Sequence, residues 1–402
     1  MEYEKTPYLR CGTSFFKRSF APTITGEKIE LLLPWNIDTI KQDEGRDYIG
    51  QIPKFDGFVC IPNHIDYKQV YDNYYNTYRP LSHILQEGNI EYSLTFIRHI
   101  FGNQYELGLD YLQLLYTNPV QMLPILCLVS RERATGKSTF LKWLKLIFEG
   151  NLTYLTNDSF SSQFNSDWAN KLLICIDEVL FKKEELTERI KFLSTTNINK
   201  MEAKGRDKVE VDFFGKFVLC SNNEKSFIKI DSDEIRFWII KVVHIEKENT
   251  NLLIKLKNEI PAFLHFLQKR QLNVRKPLSR MWFSPSQIRT NALERLLNHN
   301  NHKVELPILE VLYEIFQEIS DDMIYICPKD ILFLLERNKK YITVAEIRNI
   351  LKRWGFLPES NTKSYKGYNL SCCEYYLTDR RGRYYTINKK SIVEKYDALM
   401  HD

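Results

Sequence analysis

One stretch constrains the chain more than any other. Residues Ile125 to Val129 are apolar throughout, Ser130 to Thr135 form a polar connection, and Gly136-Lys137-Ser138-Thr139 follow. Phe140 to Phe148 then place Phe140, Leu144 and Ile147 on one helical face. A short, continuous apolar run predicts a strand buried on both faces, as in a parallel sheet covered by helices. A tight loop and a helix N-terminus after such a strand turn backbone N–H groups outward, where they attract phosphate oxygens. In that arrangement Thr135, Gly136, Lys137, Ser138 and Thr139 cradle a nucleotide's phosphates. Lys137 reaches the terminal phosphates and the Ser138 hydroxyl ligates Mg²⁺. Arg131 stands where G-x-x-x-x-G-K-[ST] has its first glycine, and it carries a strain of roughly 1 kcal/mol or more if that position needs a positive φ.

Two further apolar runs, Leu172 to Ile176 and Phe217 to Cys220, extend the pattern of strands alternating with helices to about Val243. The first ends in Asp177-Glu178. Ligands in open α/β sheets bind at the C-terminal ends of strands, where Asp177 suits Mg²⁺ and Glu178 suits a base for an attacking water. The second ends in Ser221-Asn222-Asn223, where the Asn222 amide can bond that water or a γ-phosphate; a simple turn uses the same residues. Between them, Met201 to Val211 reads as a β-hairpin carrying Lys204, Arg206 and Lys208 near its tip, with a plain solvated hairpin as the alternative. Arg236 precedes the apolar run Phe237 to Ile240, and its permanent charge suits a γ-phosphate or a surface Arg–Glu pair.

The chain has 402 residues, 44% of them hydrophobic, which predicts two or three packed domains and excludes dominant disorder. Its 56 Lys+Arg and 51 Asp+Glu nearly cancel, so only their distribution carries information. The eight cysteines include no C-x-x-C pair, which reads as a reduced, cytoplasmic protein. The N-terminal residues lack a signal-peptide core, and no stretch approaches the ~18–20 apolar residues that span a bilayer.

Loop, acidic strand end, basic hairpin, Asn-terminated strand and arginine come in an order that resembles the superfamily 3 helicases, AAA+ motors of viruses, phages and mobile elements. It is most similar to the helicase part of primase-helicase proteins. Phe101-Gly102, Leu107 to Leu115, Glu259 to Leu264 and Arg280 to Phe283 add to the likeness, which covers residues 70 to 290. The resemblance implies an α/β fold with an AAA+ P-loop ATPase core, ATP on Lys137 and Ser138, Mg²⁺ and water activation at Asp177 and Glu178, and a sensor role for Asn222. It also implies that Arg236 is an arginine finger serving a neighbouring subunit of a ring, commonly a hexamer. Lys204, Arg206 and Lys208 then grip single-stranded DNA in its channel. Arg131 and Ala134 depart from the family's glycines, and with no primase signature in the chain, priming falls to a separate protein.

Read this way, residues 1–75 are β-rich or irregular, 76–118 a helical adaptor with helix from about Pro80, 119–275 the ATPase domain, 276–303 a linker, and 304–402 a basic domain. In the last, Ile308 to Ile319, Pro328 to Arg337 and a helix opened by the capping box Thr343-Val-Ala-Glu346 precede two Tyr-rich runs, Tyr365 to Leu370 and Arg383 to Ile387. This order resembles a winged helix. Arg337 to Lys390 holds thirteen Lys/Arg against four Asp/Glu, and Lys352, Arg353, Arg380, Arg381 and Arg383 are its phosphate-contact candidates for duplex origin DNA. The expected activity is ATP-dependent unwinding in phage or mobile-element replication. An ATP-switched initiator or loader that does not unwind, and a small-molecule P-loop kinase, are the competing readings.

Overall fold

The computed structural model describes residues 6–22, 28–181, 184–202, 207–231, 234–246, 249–336, 342–371 and 374–400. The chain divides into two compact units, Met1–Glu294 and Arg295–Asp402. Among the described residues no helix is long and apolar enough to cross a membrane.

The first unit opens with β1 (Tyr8–Cys11), β2 (Ser14–Pro22), β3 (Lys28–Trp35), helix α1 (Ile37–Glu44) and β4 (Lys54–Phe55). These strands form one sheet in the order β3-β2-β1-β4, antiparallel except where β4 joins β1. A smaller sheet follows, built from β5 (Gly57–Val59), β6 (Val70–Tyr71) and β7 (Tyr74–Asn76). Residues 77–90 form neither helix nor strand, so the helical reading from Pro80 is corrected. Backbone groups there are satisfied by side chains from elsewhere: Asn151 Oδ1 accepts from Arg79 N at 3.1 Å and Glu149 Oε2 from Ser82 N at 3.0 Å.

Helices α2 (Glu91–Phe101) and α3 (Tyr105–Thr117) then lead into β8 (Ile125–Val129), α4 (Lys137–Phe148), β9 (Leu152–Leu155), α5 (Asn157–Ser161), β10 (Leu173–Ile176) and α6 (Glu184–Leu193). The hairpin β11 (Ile198–Met201) and β12 (Val209–Asp212) precedes β13 (Lys216–Ser221), β14 (Phe237–Lys241), α7 (Leu252–Lys269) and α8 (Pro285–Ile288). The central sheet has the order β14-β8-β13-β10-β9, and every pairing in it is parallel.

Burial on both faces explains the unbroken apolar runs. Leu173, Cys175, Val218 and Cys220 share a core with α2, α3, α4 and α7, whose centre is Trp143 among Phe96, Phe140 and Phe263. Phe217 instead joins Phe160, Phe213, Trp168 and Phe181 in an aromatic cluster. Glu259 of α7 receives the N–H groups of Tyr92 and Ser93 at 3.1 and 2.7 Å, capping α2, which has no side-chain cap of its own.

Helix α9 (Asn291–Glu318) runs from the end of the first unit through much of the segment expected to be a linker. The second unit continues with β15 (Met323–Ile326), α10 (Pro328–Glu336), α11 (Val344–Arg353), β16 (Lys363–Ser371), β17 (Glu374–Gly382), β18 (Tyr385–Asn388) and α12 (Lys389–Met400). Strand β15 pairs with β18, and β16 with β17, both antiparallel. Ile308, Leu312 and Ile315 pack with Ile347, Ile350 and Leu351 in its core. The capping box at Thr343 and Glu346 is formed. The first Tyr-rich run lies in β16, paired with β17, and the second in β18, paired with β15.

Candidate nucleotide-binding site

The loop that follows β8 lies at the C-terminal edge of the parallel sheet. Positive φ falls on Ala134 (52°) and Gly136 (87°), and Arg131 is not among the positive-φ residues. The strain expected at the missing first glycine is therefore corrected: it rests on Ala134. Arg131 N instead donates to Glu224 Oε1 at 3.0 Å, and Glu224 is held by Lys241 at 3.1 Å. Glycine at 134 relieves about 1 kcal/mol of strain but adds unfolded-chain entropy worth about 0.4–1 kcal/mol. Urea unfolding is expected to place Ala134→Gly within about 0.5 kcal/mol of the parent, whereas the β-branched Ala134→Val loses about 1–2 kcal/mol.

Lys137 is buried at the first position of α4, and its Nζ donates to Thr135 Oγ1 at 3.0 Å and to Ser130 Oγ. Burial lowers its pKa below the ordinary lysine value, and the Asp177 and Glu224 carboxylates act against that shift. Ser138 Oγ donates to Asp177 Oδ2 at 2.8 Å, joining the loop to the acidic strand end across the width of β13. A hydroxyl and a carboxylate so placed, both on exposed residues, offer hard oxygen ligands of the kind Mg²⁺ takes while keeping several waters. Thr135 is buried, with its carbonyl 3.0 Å from His99 Nε2, and Thr139 sits in the first turn of α4.

Glu178 has φ +59°, the left-handed region that non-glycine residues rarely occupy. Neighbours fix this turn: Glu178 N donates to Asp177 Oδ1 at 3.1 Å, Asn157 Nδ2 to Glu178 O at 3.2 Å, and Leu180 N to Asn157 Oδ1 at 3.3 Å. Val179 N donates to Cys220 O at 2.7 Å, and Ser221 Oγ to Val179 O at 2.9 Å. Ser130 N donates to Ser221 O at 3.2 Å, so the tip of β13 is bonded to both flanking loops. Asn222 follows that tip with an exposed side chain. Asn157 and Glu224 were missed from sequence, because an Asn at a short helix start and a Glu in a polar loop carry no pattern of their own.

Arg236 lies apart from these groups. Its carbonyl accepts from Ile125 N at 2.8 Å, which puts it at the start of β14 beside the start of β8. The loop leaves the other end of β8, about 16 Å away at 3.3 Å per residue. The Arg236 guanidinium bonds Glu234 at 3.0 Å, and Glu234 also lies 3.4 Å from Lys191. It therefore stands in the Arg–Glu pair that was the plainer expectation, and it does not serve the loop of its own chain.

Of the hairpin cations, Lys208 pairs with Glu202 at 2.9 Å, while Lys204 and Arg206 lie outside the described residues. In the second unit two phosphate-contact candidates are paired within the unit. Arg353 pairs with Glu305 at 2.7 Å, and Arg380 bonds Asp330 and Asn369. Arg383 Nε donates to Glu359 O at 3.0 Å, and Lys352 and Arg381 are exposed. Arg348, exposed on α11, was absent from the expected set.

Fold and site define an α/β protein with a parallel five-stranded sheet and a strand–loop–helix turn through Gly136-Lys137-Ser138 at its C-terminal edge. Residues 128–236, from the end of β8 to Arg236, match the model of a family of unknown function, DUF5906. Among solved structures, the chain is similar to the "A form apo structure of NrS-1 C terminal region-CTR" at 16% identity and TM-score 0.58, covering 95% of this chain and 96% of that one. It is similar to "the apo structure of NrS-1 C terminal region (305-718)" at 15% identity and TM-score 0.57, covering 93% and 94%. At these identities the likeness is one of fold. No curated protein matches.

Proposed function

We propose that the chain is an ATP-driven DNA motor of the superfamily 3 helicase type, acting in replication of a phage or mobile element. The bond between Ser138 Oγ and Asp177 Oδ2 carries the reading, because it joins a phosphate loop to an acidic strand end in the relation a Mg·ATP site requires. The likeness in fold to the C-terminal region of NrS-1, at TM-score 0.58 over 95% of this chain, supports the α/β core this reading needs.

Lys137 and the N–H groups of residues 135–139 hold the phosphates, with Ser138 and Asp177 as the Mg²⁺ ligands. When bound, Mg²⁺ neutralises charge between the β- and γ-phosphates. Glu178 accepts the proton of the attacking water as it adds in line to the γ-phosphorus, the bond to the β,γ-bridging oxygen breaks and ADP leaves, and Asn222 orients that water. In this reading Arg236, remote from its own loop, exchanges its Glu234 pair for the site of a neighbouring subunit, which makes the working form a ring, a hexamer. The hairpin carrying Lys204, Arg206 and Lys208 grips single-stranded DNA, and the second unit associates with DNA. The working compartment is the cytoplasm of an infected or host cell.

The test is ATP hydrolysis and strand displacement, each with and without single-stranded DNA, for the parent and Lys137→Ala. DNA-stimulated hydrolysis and displacement, both lost in Lys137→Ala, are expected. Stimulated hydrolysis without displacement replaces the motor by an ATP-switched initiator, and no hydrolysis in the parent rejects both.

A further inference from the structure

Three consecutive carbonyls of the loop after β8 are held from outside it. His244 Nδ1 lies 3.1 Å from Arg133 O, Ile245 N donates to Ala134 O at 3.2 Å, and His99 Nε2 lies 3.0 Å from Thr135 O. A carbonyl only accepts, so both ring nitrogens carry a proton and donate it. His99 belongs to α2, and His244 and Ile245 to the segment between β14 and α7. The two elements close over Gly136, where a Cβ would stand 3.3 Å from both Phe96 Cε2 and Ile245 Cδ1.

In a trans peptide the N–H points away from the C=O. Carbonyls 133, 134 and 135, drawn toward these outer donors, therefore turn the N–H groups of Ala134, Thr135 and Gly136 the other way. None of those three N–H groups donates to a protein acceptor among the described residues. Positive φ at Ala134 and Gly136 flanks the ordinary hand at Thr135, the alternation that gathers successive N–H groups into an anion-binding hollow. With alanine at 134 the loop lacks a glycine that would take this shape without strain, and the three outer bonds supply the constraint that holds it. The frame is itself braced, since Glu259 of α7 bonds the N–H groups of Tyr92 and Ser93 in the first turn of α2.

We propose that His99 and His244 are positioning residues for the loop, their ring N–H groups fixing the peptide planes whose opposite sides bind the phosphate chain of a nucleotide. The proposal rests on the Mg·ATP reading of this site and deepens it. Neither histidine touches phosphate; each acts through a loop carbonyl. What each place requires is one N–H donor, rather than a charge or an imidazole ring. A glutamine amide reaches about as far as Nε2 and an asparagine amide about as far as Nδ1, so His99→Gln and His244→Asn keep the bonds. His99→Leu and His244→Ala remove them.

Titration calorimetry of the full chain with Mg·ATP, and separately with tripolyphosphate, tests this on variants whose thermal melting matches the parent. His99→Leu and His244→Ala are each expected to weaken both ligands about five- to tenfold, the range of one hydrogen bond. His99→Gln and His244→Asn are expected to stay within about twofold of the parent. Tripolyphosphate carries neither base nor sugar, so a parallel loss places the effect on the phosphates. His244 is exposed, and its two variants decide the matter if His99→Leu lowers the melting temperature. Loss confined to ATP, donor-free variants that bind like the parent, or amide variants that lose as much as the donor-free ones, each overturn the positioning role while leaving the nucleotide site in place. A parent that binds neither ligand overturns the nucleotide site itself.

Discussion

Glu178→Gln is expected to lower the turnover number for ATP by about 10²- to 10⁴-fold, the range for loss of a positioned general base, while nucleotide affinity stays close to the parent's. The glutamine keeps shape and hydrogen bonding but accepts no proton. Lys137, Ser138 and Asp177, which hold the phosphates and the cation in this reading, are untouched. The backbone makes the expectation specific. A φ of +59° at a glutamate survives only where the surroundings over-determine it, and here the Asn157 amide bonds the turn on two sides. Glutamine tolerates that conformation as well as glutamate, so the loss reports chemistry and not unfolding. Steady-state hydrolysis together with binding of a fluorescent nucleotide checks it. Turnover within a few-fold of the parent removes Glu178 as the base, and a parallel loss of binding assigns it to structure instead.

The second large effect is on stability. Asp110 on α3 is fully buried, and its carboxylate accepts from Arg270 Nη1 at 2.5 Å, Asn273 N at 2.9 Å and Val274 N at 2.7 Å. One side chain therefore fixes the chain as it leaves α7 against the helix layer that covers the sheet. Asp110→Ala leaves two backbone donors and a nearly buried cation without their acceptor. Breaking one partner of a buried pair typically costs about 3–5 kcal/mol. Arg270 keeps Gln113 at 2.8 Å and Glu106 at 2.9 Å, which places the expected loss near the lower end. Urea denaturation measures it, and a loss below about 1 kcal/mol shows that Gln113 and Glu106 suffice.

The sheet and the strand–loop–helix turn after β8 were legible in the sequence because strands buried on both faces leave an unbroken apolar trace. Ile125 to Val129 matches its strand residue for residue. Strand β9 was not legible: it is an edge strand, with Tyr154 exposed, and its Leu-Thr-Tyr-Leu has no continuous apolar run. The stretch after Pro80 misled because its apolar residues pack against the core from an extended chain. Leu81 and Leu85 contribute burial without helical bonding. The strain at the loop was anticipated, but assigned to the wrong departure from glycine. A motif gives the spacing of glycines, and the observed turn decides which of them needs a positive φ. Arg353 and Arg380 show the matching limit for charge, since composition counts cations but cannot tell which already face a carboxylate.

The bonds at the tip of β13 have a mechanical consequence. Ser221 and Cys220 are tied by main chain and side chain to Ser130 on one side and Val179 on the other, beyond the ladders that already join the three strands. The loop after β8 and the Asp177-Glu178 turn are thus two arms of one caliper, with a gap set by a single intervening strand. In the proposed motor such a caliper resists opening, so displacement is expected at elements outside it, with the gap as the fixed reference against which they move.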